Sequence, residues 1–444
     1  MGITLGDVVN GLGGTYLGPC PLLDLPYKGV CIDSRLECKG RVFVALKGNR
    51  FDGHAFAVEA WRKGSPLAVV KRELALPCLV VPNTLEALHK LASLLLNAWG
   101  PKVVAITGSS GKTTTKELIA HLLGGMYRVH KTIKNYNNLV GLPYTVANMP
   151  EETQVLVLEM GTNAPGEIYQ LSSLVKPHVG VLTNVGRAHL GPLGGTEGVK
   201  KAKGELLKGL REDGLLVYNA DDPFSRELAR GFPRTFSFGL EGGDVRGKDI
   251  RVVQRGERWY TGFSITGPWG KFDALLPLLG THHVLNALAA VAVAFQLGVE
   301  PQDMPHLLSC FQGVHGRMEI KRWRGVLILD DTYNANPDST WWALKTLASL
   351  PARRRLVLMG SMLELGRESA YWHRWVGEQA RLLGVDWLGT LGDEAREIGG
   401  VCHFADHQEA ARTLSSILRE GDALLVKGSR GLQMERVLEA LGVD

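Results

Sequence analysis

Short apolar runs and longer stretches of helical period alternate along the whole chain, in three successive blocks. In the first block, apolar runs predict strands at 42–46, 67–70 and 78–81, and three-to-four spacing predicts helices at 55–63 and 84–99. Gly100-Pro101 breaks that pattern and suits a linker. From Lys102 the repeating unit is strand, polar loop, helix. Continuous apolar strands at 103–106, 155–158, 179–182 and 215–218 read as a parallel sheet buried on both faces. Residues 232–275 turn to β-type runs among glycines, which predicts an antiparallel extension of that sheet. A buried helix starting near His283 closes the block by about residue 313. The last third begins again, with strands at 326–329, 356–359, 387–388 and 423–426 and helical runs from 338, 369, 409 and 432.

In open parallel sheets ligands collect beyond the carboxyl ends of the strands, so the polar residues found there are the candidates for chemistry. After the strand at 103–106 comes Thr107-Gly108-Ser109-Ser110-Gly111-Lys112-Thr113-Thr114-Thr115, followed by a helix. Backbone N–H groups of such a glycine-rich turn and the helix N-terminus favour a phosphate. Lys112 can reach β- and γ-phosphates, and the Thr113 hydroxyl can ligate Mg²⁺. The eight-residue P-loop pattern would need glycine at 106, where the chain has Ile106, so the spacing is shortened. The next strand ends bring Glu159, then Asn184 with His189. In the last block they bring the stretch 330–337 and the stretch 427–431. The predicted fold class is α/β in three domains: a small α/β N-terminal domain (1–98), a central P-loop domain with a doubly wound, mostly parallel sheet (99–313), and a C-terminal Rossmann-like α/β domain (314–444). The loops at 33–35 and 47–54, and the lysines Lys200, Lys201 and Lys203, would look the same as solvated surface.

Composition narrows this picture only in places. A net charge of +5 with scattered basic residues argues against a nucleic-acid surface and leaves small anionic substrates open. Six cysteines show no C-x-x-C pair, which predicts reduced thiols in a cytoplasmic protein. The start of the chain lacks a signal-peptide pattern, and the apolar run at 284–299 carries Asn286 and Gln296, so no membrane span is expected. No short-period repeat is visible, and a monomer is expected.

The shortened loop T-G-x-x-G-K-T resembles the ATP loop of the Mur ligases and of folylpolyglutamate synthases. Further landmarks run in Mur ligase order: Asp33-Ser34-Arg35, the stretches at 43–48, 135–138, 159–163 and 184–189, Ala202-Lys203-Gly204-Glu205, 283–286, Gly316-Arg317, 331–337, 360–366 and 427–430. The resemblance implies that the three domains bind, in order, the UDP part of a substrate, ATP, and an incoming amino acid or dipeptide. It implies that Gly108, Ser109, Ser110, Gly111, Lys112, Thr113 and Thr114 cradle the nucleotide, with Asn286 and Arg317 touching ATP and Asp331 near its ribose. Thr113 and Glu159 would hold one Mg²⁺ and His189 a second. Lys203 would be the lysine that the family carbamylates, so that Lys112, Lys203 and His189 serve catalysis. Ser34, Arg35, Asn138, Thr162, Asn163, Arg187, Tyr333 and Asn336 would face the substrates. The Tyr333–Pro337 sequence lacks the histidine of the sister ligases, and their D-N-P-R motif is missing. The member implied therefore joins D-alanyl-D-alanine to UDP-N-acetylmuramoyl-tripeptide through an acyl phosphate. The alternatives are a tripeptide-forming Mur ligase, a folylpolyglutamate synthase, or a P-loop kinase or nucleotide-regulated module.

Overall fold

A computed structural model describes residues 2–48 and 51–443; Asn49 and Arg50, part of the polar stretch at 47–54, lie outside the described residues. Three sheets follow one another along the chain. The first has five strands in the order Thr15–Leu17, Cys78–Val80, Ala68–Val70, Val42–Val44, Val30–Cys31. Its helix Thr84–Trp99 starts where the Asn83 side chain accepts from the backbone N–H groups of Leu85 and Glu86. It stops at Gly100, whose φ of 60° is the left-handed cap that suits glycine.

The central sheet has nine strands, and the P-loop strand Lys102–Thr107 lies between Val155–Glu159 and Val179–Leu182. Alternation along these strands explains its burial. Val104, Ile106, Val155, Val157 and Val181 enter one core with the helix Thr281–Gln296, while Val103, Ala105, Leu156 and Leu158 enter another. That second core also takes Leu88, Leu91 and Leu95 of the helix Thr84–Trp99, so the N-terminal unit is packed onto the back of the central sheet. The expected antiparallel extension is corrected in part. Thr235–Gly239 pairs parallel with Leu215–Asn219 and with the start of Val245–Arg255, and pairing is antiparallel only onward through Arg258–Gly267 and Gly270–Leu276.

The last sheet has six strands in the order Glu319–Trp323, Val326–Asp331, Ala423–Lys427, Arg355–Gly360, Trp387–Leu391, Cys402–Phe404. One core joins Leu190, Leu193 and Val199 of the central block to Leu344, Met362, Leu365 and Trp372 of this one, so the two are docked. At the seam, two glycines meet back to back. A Cβ on Gly191 would stand 3.2 Å from Gly366 Cα, and one on Gly366 would stand 3.0 Å from Gly191 Cα.

The expectation of six reduced thiols is corrected at one pair, because Cys31 and Cys38 are disulfide-bonded, with Cα atoms 5.4 Å apart. The loop between them folds back from the end of the strand Val30–Cys31, which brings two buried cysteines together without any short motif. Among the described residues, no helix is long and apolar enough to cross a membrane.

Candidate functional site

The phosphate loop is shaped by two glycines that no other residue could replace. Gly108 has φ +152° and a Cβ there would lie 1.9 Å from Thr183 Oγ1; Gly111 has φ +80° and its Cβ would lie 2.3 Å from Asn286 Oδ1. Asn184 Oδ1 accepts the Ser110 N–H at 3.1 Å and fixes the loop's outer edge. The helix Lys112–Leu123 then begins with no side-chain cap, so its first N–H groups are free for an anion. Lys112 Nζ donates to the Gly108 carbonyl at 2.7 Å, and burial lowers the pKa of its ammonium.

Opposite the loop stands Glu159, the last residue of its strand and almost wholly buried. Thr113 Oγ1 donates to its Oε2 at 2.8 Å and Asn137 Nδ2 to its Oε1 at 2.8 Å, while its backbone N–H donates to Thr132 Oγ1 at 3.0 Å. Lys203 lies behind them. On the helix Thr196–Gly209, Lys200 pairs with Glu227 at 2.6 Å and Lys201 is exposed, but the helical turn sends Lys203 inward. The solvated-surface expectation for that lysine is thereby corrected. Its Nζ is fully buried and has no hydrogen-bond partner among the described residues, and burial, helped by the nearby Lys112 charge, holds its pKa well below the ordinary lysine value.

A cavity of about 340 Å³ lies between the phosphate loop and the C-terminal unit. It gathers Ser109, Ser110, Gly111, Lys112, Thr113 and Glu159 on one side. Asn138, Thr162, Asn163 and His189 are around it, with Arg317, Tyr333 and Asn336 across from them. His189, in the left-handed region at φ 57°, brings Nδ1 to 2.5 Å from Glu364 Oε2. Arg317 stacks 4.0 Å from the centre of the Tyr333 ring and reaches Thr113 Oγ1 at 3.4 Å, so it spans both walls. A smaller cavity of about 80 Å³ shares the loop and holds Thr114, Asn286 and Asp331 together with His282, Trp342 and Lys427. Lys427 Nζ lies 2.5 Å from Asp331 Oδ2. Burial lowers the pKa of His282 to about 4 and that of His283 well below the usual imidazole range, so both rings are neutral near pH 7.

Three candidates stand elsewhere. Ser34 Oγ donates to Glu59 at 2.9 Å and Arg35 pairs with Asp33 at 2.7 Å, both on the N-terminal unit and outside the two cavities. Arg187 crosses the seam to Asp338 at 2.8 Å and stacks 4.6 Å from the Trp372 ring. Asn137, Glu364 and Arg430 line the main cavity although the sequence pattern did not single them out. Arg430 lies in the strand-end stretch 427–431, while Asn137 and Glu364 lie in the stretches 135–138 and 360–366 that carry the family resemblance.

Sequence-family profiles match in three blocks: "Mur ligase family, catalytic domain" over 26–93, "Mur ligase middle domain" over 106–294, and "Mur ligase, glutamate ligase domain" over 316–430. The UDP-N-acetylmuramoyl-tripeptide--D-alanyl-D-alanine ligase of Bacillus subtilis is 36% identical over 430 residues, covering 93% of each chain. Its counterpart in Escherichia coli is 36% identical over 452 residues, covering 99% of this chain and 98% of that one. Among solved structures, MurF from Acinetobacter baumannii superposes with a TM-score of 0.90 at 32% identity over 99% of this chain and 98% of that one. The MurF ligase of Thermotoga maritima in complex with ADP gives 0.85 at 34% identity over 93% and 97%.

Proposed function

The chain belongs to the Mur ligase family and is an ATP-dependent ligase of peptidoglycan precursor synthesis; from that premise we propose that it forms its peptide bond in the cavity between the phosphate loop and the C-terminal unit. The carboxyl substrate is UDP-N-acetylmuramoyl-tripeptide and the amine acceptor is D-alanyl-D-alanine. The tripeptide's terminal carboxylate attacks the γ-phosphorus of ATP, ADP leaves, and the acyl phosphate is opened by the dipeptide amine with release of phosphate. The loop amides and Lys112 hold the phosphates, and both steps gather charge on oxygen near them.

Thr113 Oγ1 and Glu159 Oε2, 2.8 Å apart, are hard oxygen donors of the kind Mg²⁺ prefers, and we assign them to one ion, with His189 for a second. Mg²⁺, when bound, neutralises the phosphate oxygens. Lys203 is suited to carbamylation, because a buried amine with a lowered pKa is a free nucleophile for CO₂, giving a carbamate and a proton. Arg317 and Asn286 hold the nucleotide and Asp331 faces its ribose. The UDP end goes to residues 1–98 with Ser34 and Arg35, ATP to 99–313, and the dipeptide to 314–444 with Tyr333 and Asn336. The same reading has the enzyme acting in the cytoplasm as a monomer.

The observation that carries this reading is the Thr113–Glu159 pair with the partnerless Lys203 behind it, facing a wall built from another domain. The test is mass spectrometry of the product formed from ATP, UDP-N-acetylmuramoyl-tripeptide and D-alanyl-D-alanine, run with positional isotope exchange in ATP. A pentapeptide product, with an oxygen of the tripeptide's carboxylate found in the released phosphate, is expected. Labelled carboxylate oxygen that never reaches phosphate would refute the acyl-phosphate route.

A further inference from the structure

The main cavity's charged groups divide by position. Lys112, Glu159, His189 and Arg317 cluster around the phosphate loop, and Glu167 is consumed by the Thr162 hydroxyl and the N–H groups of Asn163 and Ala164. Among the described lining residues, the wall built from residues beyond 330 carries two charged side chains, Glu364 and Arg430. The same wall also carries the apolar Ala335, Leu363 and Leu365, and Gly431, where a Cβ would already be 3.0 Å from Leu363 Cδ1. One acid, one base and a small apolar surface match a dipeptide zwitterion with two methyl groups.

We propose that Arg430 and Glu364 are the two ends of a clamp for the incoming dipeptide, Arg430 taking its carboxylate and Glu364 its ammonium. This rests on the ligase reading and names which groups recognise the amine substrate. Glu364 sits in the left-handed region at φ 67°, a conformation that a glutamate keeps only where its surroundings enforce it. It reaches across the seam to within 2.5 Å of His189 Nδ1, so its carboxylate stands beside the edge of the phosphate-loop side of the cavity. That places the nucleophilic end toward the phosphate loop, where the activated carbonyl must be. Arg430 is braced by Glu435 at 2.7 Å and lies 5.8 Å from the Tyr333 ring. Its guanidinium makes no other hydrogen bond among the described residues, which leaves donors for a bidentate carboxylate contact. The same ring has the Arg317 guanidinium 4.0 Å from its centre.

The test compares D-alanyl-D-alanine with D-alanyl-D-alaninamide, whose terminal carboxylate is neutralised, as acceptors for the parent enzyme, Arg430→Met and Arg430→Lys, with the KM for ATP as internal reference. In the parent, the amide raises the acceptor KM about ten- to a hundredfold, as loss of a charge-assisted contact should. Arg430→Met raises the dipeptide KM by a similar factor and shows no preference between dipeptide and amide; Arg430→Lys keeps part of it. Glu364→Gln raises the KM for both acceptors and keeps the preference for the carboxylate. An Arg430→Met enzyme that still prefers the carboxylate, or a parent that does not, overturns the clamp. Should Arg430→Met not fold, an Arg430→Lys enzyme with the parent's full preference overturns it equally. A parent that shows no dipeptide-dependent ADP release refutes instead the ligase reading beneath it.

Discussion

Replacing Lys203 by methionine should make the protein more stable and at the same time inactive. The lysine side chain has no exposed surface and its Nζ no partner, and the nearest charges are divided, Lys112 against it and Glu159 and Glu205 for it. Methionine keeps the unbranched stem and fills similar space without a polar end. Exchanging a buried amine that has no hydrogen-bond partner for a well-packed apolar group removes an unsatisfied polar group, worth about 1–3 kcal/mol. Taking about 2 kcal/mol, and about 2–4 °C per kcal/mol for a domain of this size, the melting temperature should rise by about 4–8 °C. The functional loss works against it, since removing one charged group from a transition-state site costs on the order of 3 kcal/mol, or about a hundredfold in kcat. Calorimetry of the free protein and ADP release from the same preparation measure both. A variant that melts lower than the parent refutes the desolvation argument, and one that turns over normally removes Lys203 from the site.

Lys112→Ala and Glu159→Ala should each lower kcat at least about a hundredfold with an unchanged far-ultraviolet circular dichroism spectrum; near-normal rates would take the residue out of the mechanism. His282 gives a pH dependence with a definite sign. Its folded pKa of about 4 lies below the ordinary 6.5, so the unfolded chain binds the extra proton and stability is complete above pH 6.5. About 3 kcal/mol from His282 is lost as pH falls to 4, and His282→Asn should make the fall of the urea midpoint across that window less steep, His283, whose pKa burial also lowers, supplying the rest; an unchanged slope would exclude His282 as a source. Asp338→Ala removes both the guanidinium and the backbone N–H contacts of Arg187 across the seam. That half-exposed pair is worth at most about 1 kcal/mol, so small-angle scattering should report a modestly more open particle and not an unfolded one; an unchanged profile would mean the apolar seam alone holds the units together.

Strands buried on both faces were legible, because a strand such as Lys102–Thr107 has nowhere to put polar side chains. The strands that escaped the apolar pattern lie at sheet edges: Thr15–Leu17 and Val30–Cys31 in the first sheet, Val129–Lys131 in the central sheet, and Glu319–Trp323 and Cys402–Phe404 in the last one. An edge strand has one neighbour and tolerates charge, so Glu-Ile-Lys-Arg-Trp reads as loop. The phosphate loop was legible for a chemical reason, since its glycines and Lys112 are demanded by the ligand itself. Glu364 and Arg430 carry no such local signature. Their meaning depends on which wall of which cavity they end up on, and that is decided by how two domains pack. Lys203 was marked by the family resemblance of its stretch alone; without it Lys200 and Lys201 look identical in the sequence, and the turn of the helix decides which one points inward.

The seam glycines Gly191 and Gly366 set how closely the central and C-terminal blocks approach one another. With backbone against backbone and no atom to spare, a single methyl on Gly191 works as a doorstop, holding the reaction chamber slightly ajar. A chamber ajar still grips ATP on the loop but no longer keeps water from an activated carboxyl group. The Gly191→Ala enzyme would therefore leak, spending nucleotide without joining anything, and the ratio of ADP to peptide product would read out the width of the gap.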